Sequence, residues 1–169
     1  LEKDPDAVHL LLGTNVLWEG RGPGSAIDGF GRIYAQLRER SPEMPIILSL
    51  VLPSHPSKKR RTEDIQEINH GYQEIVADDP NVHIVDTYSL FAGPDGQARE
   101  DLLPDLVHPN KAAYAVWADA LTPYLELLGL VKEPGDVFRA EDGFAQLFDT
   151  KALSGWTTVH PDSDPAPDD

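Results

Sequence analysis

The chain has 169 residues, with 14 basic against 29 acidic side chains and a net charge of −15. That balance argues against nonspecific nucleic-acid binding, which needs a basic footprint, and against docking on anionic membranes. The absence of cysteine excludes disulfides, thiolate metal sites and a cysteine nucleophile, and no apolar stretch approaches the roughly 20 residues that cross a bilayer.

The chain opens at Leu1 beside a strand and stops in an acidic, proline-rich tail, Pro161–Asp169. The expectation is therefore a piece of a longer protein. Ala7–Gly13 is a short apolar run closed by glycine, which suits a buried parallel strand. Thr14–Gly24 is glycine-rich and expected to be loop. Ser25–Arg40 carries Ile27, Phe30, Ile33, Tyr34 and Leu37 at helical spacing, with Ser25 the expected N-cap and Ser41-Pro42 the stop; Gly29 and Gly31 weaken this helix. Ile46–Leu52 is a second buried strand. Residues 53–61 form a polar loop whose run Lys58-Lys59-Arg60-Arg61 is expected to be a solvated rim, with contact to an anionic substrate group as the alternative.

Thr62–Ala77 is a second helix, capped by Thr62, with Ile65, Ile68, Tyr72, Ile75 and Val76 as its stripe. Val82–Val85 is a third strand. Residues 86–109 form a long loop with a turn at Gly93-Pro94-Asp95-Gly96. Asn110–Leu128 is a third helix; Ala113, Trp117, Ala120, Leu121, Tyr124, Leu125 and Leu128 share one face, and Gly129 is the expected residue just past its end. Short apolar strands alternating with amphipathic helices indicate an α/β fold, a three-layer parallel sheet covered on both faces. In such sheets chemistry gathers beyond the carboxyl ends of the strands. Asn15, the 53–61 loop and the 86–109 loop follow the three strands and converge there.

Beyond Gly129 the character changes. Residues 131–142 are a charged linker, and 143–169 begin with a new apolar cluster, Phe144, Leu147, Phe148, Leu153 and Trp156, too short to build its own core. The tail after it has the composition of a disordered segment.

Two motifs carry chemistry. Asp105-Leu106-Val107-His108-Pro109-Asn110 places a carboxylate three residues before a histidine at the mouth of a helix. A carboxylate behind an imidazole sets its tautomer and stabilises the imidazolium, which is the base half of a Ser-His-Asp hydrolase. Leu12-Gly13-Thr14-Asn15 ends the first strand with a side-chain amide able to donate to an oxyanion. Other readings stay open. Asp105 can cap a turn, His108 can simply precede a helix, and Asn15 can be a turn residue. His55, on the loop after the second strand, is a candidate for substrate contact. Ser54 and Ser57 beside it lack a nucleophile elbow. One Asp/His pair supplies too few ligands for a metal, so none is expected.

Asp105-x-x-His108 followed by Pro109 resembles the last block of the SGNH, or GDSL, hydrolase family, and Gly13-Thr14-Asn15 resembles its Gly-x-Asn block. The resemblance covers about residues 5–130. It implies a flavodoxin-like fold, with His108 as general base, Asp105 orienting it and Asn15 donating to the oxyanion. Val16 stands where the family often has Asp. The family's Gly-Asp-Ser block, which carries the nucleophile, and its glycine block both precede Gly-x-Asn, and only 12 residues do so here. The expectation is an N-terminally truncated SGNH domain (1–130) that is inactive alone and needs no cofactor.

Leu147-Phe148-Asp149-Thr150-Lys151-Ala152-Leu153-Ser154-Gly155-Trp156 is similar to the opening of the 3-keto-disaccharide hydrolase family, a β-sandwich of bacterial glycan degradation. That resemblance implies an acylated or acetylated carbohydrate ester as substrate and a periplasmic or secreted location. A noncatalytic carbohydrate-binding module on the same fold and a metal-dependent phosphate-ester hydrolase are the rival readings.

Overall fold

The computed structural model describes residues 5–131. Apart from Val131, the expected linker (131–142) and the second-domain opening (143–169) lie outside the described residues. The elements run β1 (Val8–Leu10), α1 (Thr14–Trp18), α2 (Pro23–Arg40), β2 (Ile46–Ser49), a 3-10 turn (Pro56–Lys58), α3 (Thr62–Val76), β3 (Val82–Val85), α4 (Thr87–Phe91) and α5 (Lys111–Leu127). The strands form a parallel sheet in the order β1-β2-β3, with Val8 opposite Ile46 and Ser49 opposite Val85.

All four residues of the central strand β2 are buried, as its continuous apolar run requires. Successive strand residues face opposite sides. Leu48 packs into a cluster with Phe30 of α2 and Ile65, Ile68 and Tyr72 of α3. Its neighbour Ser49 accepts a hydrogen bond from Trp117 Nε1 of α5 at 3.2 Å. Trp117 belongs to the second cluster, with Phe91, Leu102, Leu103 and Ala113. Helices therefore cover both faces, giving the expected three-layer α/β architecture.

Several expected boundaries move. β2 stops at Ser49 rather than Leu52, because a side chain takes over the ladder. Asn69 of α3 accepts from Val51 N–H at 2.7 Å and donates to Val51 C=O at 3.0 Å. α2 begins at Pro23, with Gly22 and not Ser25 at the cap; proline at the first helical position has its φ preset and lacks an N–H that would be orphaned. The helix runs through Gly29 and Gly31, each costing about 1 kcal/mol against alanine, because Phe30 between them is fully buried, worth about 1.5–3 kcal/mol. Ile33, expected on the apolar stripe, is 40% exposed, and Ala26 is buried. Thr62 is the first helical residue of α3 and not its cap; Arg61 occupies the cap position without a side-chain bond, and Glu63 and Asp64 place negative charge in the first turn.

α1 and α4 replace expected loop. Each is five residues, and α4 is capped by Asp86, which accepts from Ser89 N–H at 3.0 Å. The 93–96 turn closes a small antiparallel bridge between Ala92 and Ala98. At the end of α5, Leu130 N–H reaches Leu125 C=O at 2.8 Å and Gly129 N–H reaches Glu126 C=O at 3.0 Å, with Gly129 at φ 67. This is the double bond pattern of a glycine-terminated helix.

Candidate active site

Gly13 leaves β1 at φ 116, a conformation open to glycine. Any Cβ there would lie 2.7 Å from the Tyr72 hydroxyl. The turn places Thr14 and Asn15 in the first turn of α1. On the far side of the same opening, the segment after β3 ends in Asp105–Asn110. Asn110 seats α5 by accepting from Ala113 N–H at 3.0 Å, and its own amide donates to Asp101 C=O at 2.7 Å.

Between these anchors the Asp105 carboxylate closes a tight local turn. One oxygen accepts from Val107 N–H at 3.0 Å and from His108 N–H at 2.7 Å; the other meets His108 Nδ1 at 2.6 Å. The bond to the His108 ring, then the two backbone donors, hold the Asp105 carboxyl well below the usual carboxylate range. An ionised carboxylate only accepts, so Nδ1 carries the proton and the lone pair sits on Nε2. The ring is 80% exposed, so Nε2 is accessible. Among the described residues, no serine hydroxyl is hydrogen-bonded to it.

The turn needs Leu106 at φ 67, left-handed for a non-glycine residue. Such a position persists where surrounding structure over-determines it. Here Leu106 N–H donates to Leu103 C=O at 2.8 Å and Leu106 C=O accepts from the buried Ser54 hydroxyl at 2.7 Å. Ser54 thus ties the loop after β2 to the Asp105–His108 turn. The hydroxyl of Ser57 is engaged elsewhere, 2.7 Å from His55 Nδ1. His55 also accepts from Ser57 N–H at 3.1 Å, capping the 3-10 turn.

A cleft of about 390 Å³ opens beyond the strand ends, lined by Leu12, Asn15, Leu52, Pro53, Ser54 and Val107 among others. Asn15 and Val107, the residue before His108, therefore border one cavity; Asp105, His108 and His55 are not among its lining residues. The basic run is not uniformly a solvated rim. Arg60 is 5% exposed, because its guanidinium is drawn under α1 by the Thr14 and Asn15 oxygens. Burial pulls the Arg60 guanidinium down from its ordinary value, and the Asp105 charge opposes that. Lys59 stays outside, its ammonium 5.0 Å from the centre of the Trp18 ring.

Sequence reasoning missed Arg60, the Ser54 tie and Asn69. The last had a signal: Ile65, Asn69, Tyr72 and Val76 share a helix face, and a polar residue in an apolar stripe must find partners. The other two had none.

The chemistry available to the His108 ring is proton abstraction at Nε2; the Asn15 side chain lines the neighbouring cleft, which Val107 borders. Comparisons with known proteins bear on the family and the fold. The model of the GDSL-like lipase/acylhydrolase family matches residues 1–116. A protein from Streptococcus pneumonia described as a platelet activating factor is 25% identical, with a TM-score of 0.63 over 71% of this chain and 59% of that one. A GDSL-like lipase from Bacteroides thetaiotaomicron (20% identity, TM-score 0.59, 73% and 63% covered) shares the fold. So does a carbohydrate esterase family 3 protein from Talaromyces cellulolyticus (24%, 0.54, 76% and 61%). No curated protein matches the chain. The chain spans about three fifths of the length of these solved structures. By the family match over residues 1–116, this chain belongs to the GDSL-like lipase/acylhydrolase family.

Proposed function

We propose that the protein is an SGNH-type carboxylic ester hydrolase working through an acyl-enzyme. The observation that carries this reading is the Asp105–His108 turn, in which the carboxylate takes Nδ1 at 2.6 Å and leaves Nε2 open. A serine hydroxyl attacks the ester carbonyl and passes its proton to His108 Nε2. The tetrahedral intermediate collapses, and the departing alcohol takes that proton. Water, deprotonated by the same nitrogen, then releases the acid and frees the serine. Asn15 donates its amide to the transient oxyanion, a contribution of about 10²–10³ in rate. These proton transfers need no cofactor.

The nucleophile is the serine of the family's Gly-Asp-Ser block, a tripeptide the 169-residue sequence does not contain. The chain by itself is therefore inactive. The substrate class is an acylated or acetylated carbohydrate. Support comes from the resemblance of 147–156 to the opening of a sugar-active domain. His55, on the loop after β2 and outside the lining of the cleft, is assigned a contact with the outer part of the substrate as part of this proposal.

The test is hydrolysis of p-nitrophenyl acetate and of an acetylated sugar by the protein expressed from its full reading frame. Turnover is expected, with His108→Ala losing roughly 10⁶ in kcat. Sugar binding without turnover, or an unchanged rate in His108→Ala, overturns the esterase reading in favour of a binding module.

A further inference from the structure

Arg60 is a cation sealed inside an acidic chain, and among the described residues no carboxylate lies within ion-pair distance of it. A buried charge is costly unless it is hydrogen-bonded, and each nitrogen of the Arg60 guanidinium donates to a neutral oxygen. Nε donates to the Thr14 carbonyl at 3.1 Å and to the Thr14 hydroxyl at 3.0 Å. Nη1 donates to Lys58 C=O at 3.0 Å, and Nη2 to Asn15 Oδ1 at 3.3 Å. A guanidinium has five donors and no acceptor. The Asn15 atom it meets is therefore the carbonyl oxygen, which leaves the NH₂ ungripped, and Asn15 is a lining residue of the cleft.

We propose that Arg60 is a positioning residue for Asn15: it grips the carboxamide by its oxygen and keeps the NH₂ turned into the cleft. The proposal rests on the reading of Asn15 as the oxyanion donor. Asn15 is otherwise exposed on a one-turn helix. Without Arg60, its amide can flip and turn Oδ1 toward a developing negative charge, which repels it. The grip also draws electron density from the amide oxygen, which strengthens N–H donation. A lysine cannot replace the fork, because its single ammonium does not span Thr14 and Asn15 together.

Two measurements test this. In the 169-residue chain, NMR relaxation of the Asn15 side-chain amide is expected to show a restrained group in the wild type. In Arg60→Lys the order parameter is expected to fall below about 0.6, the flexible range. An amide already mobile in the wild type, or unchanged in both Arg60→Lys and Arg60→Gln, overturns the proposal, and the wild-type arm holds even if a variant fails to fold. In the full-reading-frame protein, Arg60→Lys is expected to lose roughly 10- to 100-fold in kcat with KM changed less than about threefold, since the oxyanion exists only in the transition state. In the Asn15→Ala background, Arg60→Lys is expected to cost nothing further; additive losses overturn the proposal. If the wild type hydrolyses no ester, the esterase reading fails, while the relaxation data still decide whether Arg60 holds Asn15.

Discussion

Replacing Asp105 by asparagine tests the proposed base by changing one atom. The carboxylate makes three contacts, to Val107 N–H, His108 N–H and His108 Nδ1. Asparagine keeps an oxygen for the two backbone donors, so the turn survives. Its NH₂, however, now faces Nδ1 and donates to it. Nδ1 must then be the lone-pair nitrogen, and the proton moves to Nε2, where the base is needed. The tautomer is inverted while the geometry stays. In an unrelated serine protease the same exchange costs about 10⁴ in kcat, and a loss of that order is expected here for p-nitrophenyl acetate. Nitrogen chemical shifts of the His108 ring, measured at a pH where it is neutral, report the tautomer directly in the 169-residue chain. The expected result is protonated Nδ1 in the wild type and protonated Nε2 in the variant. Asp105→Ala frees the ring and should show both tautomers. A wild-type tautomer in Asp105→Asn, or a kcat within tenfold of wild type, refutes the argument that this carboxylate sets the base.

Asn69→Ala strips two buried backbone groups of Val51 of their partners, at about 1–3 kcal/mol each, so urea denaturation should show a loss of about 2–6 kcal/mol. Ser54→Ala releases Leu106 C=O and should cost about 1–2 kcal/mol, with broadened amide signals at Val107 and His108; sharp, unshifted signals would count against the tie. Acid stability should follow Asp79. Burial opposes its charge, but Tyr34, the Asn81 N–H and Arg38 outweigh that and hold its carboxyl below the ordinary value. A carboxyl depressed in the folded state contributes stability that is complete above the unfolded pKa of about 3.9 and is lost as pH falls through the folded value. Asp79→Asn should therefore flatten the slope of stability against pH in that acid window, measured by denaturant midpoints; an unchanged slope would show that other carboxylates govern it.

The order of strands and main helices along the chain, the buried central strand and the Asp105–His108 couple were legible in the residues alone. All are local: apolar spacing of 2.0 or 3.6 residues is written within one element, and the couple spans three residues of one turn. The five-residue helices α1 and α4 were out of reach because one turn is too short for a period to register. Tertiary structure alone decided the rest. Arg60 sits in a run of four cations, and nothing in that run tells the buried one from its solvated neighbours. It is buried because the parallel register brings Thr14 and Asn15, some 45 positions earlier, over the loop that follows β2. Ser54 meets Leu106 for the same reason. The partners of these polar groups lie on other strand ends, and which ends adjoin is a property of the folded sheet, carried by hydrogen bonds between distant residues that no local pattern encodes.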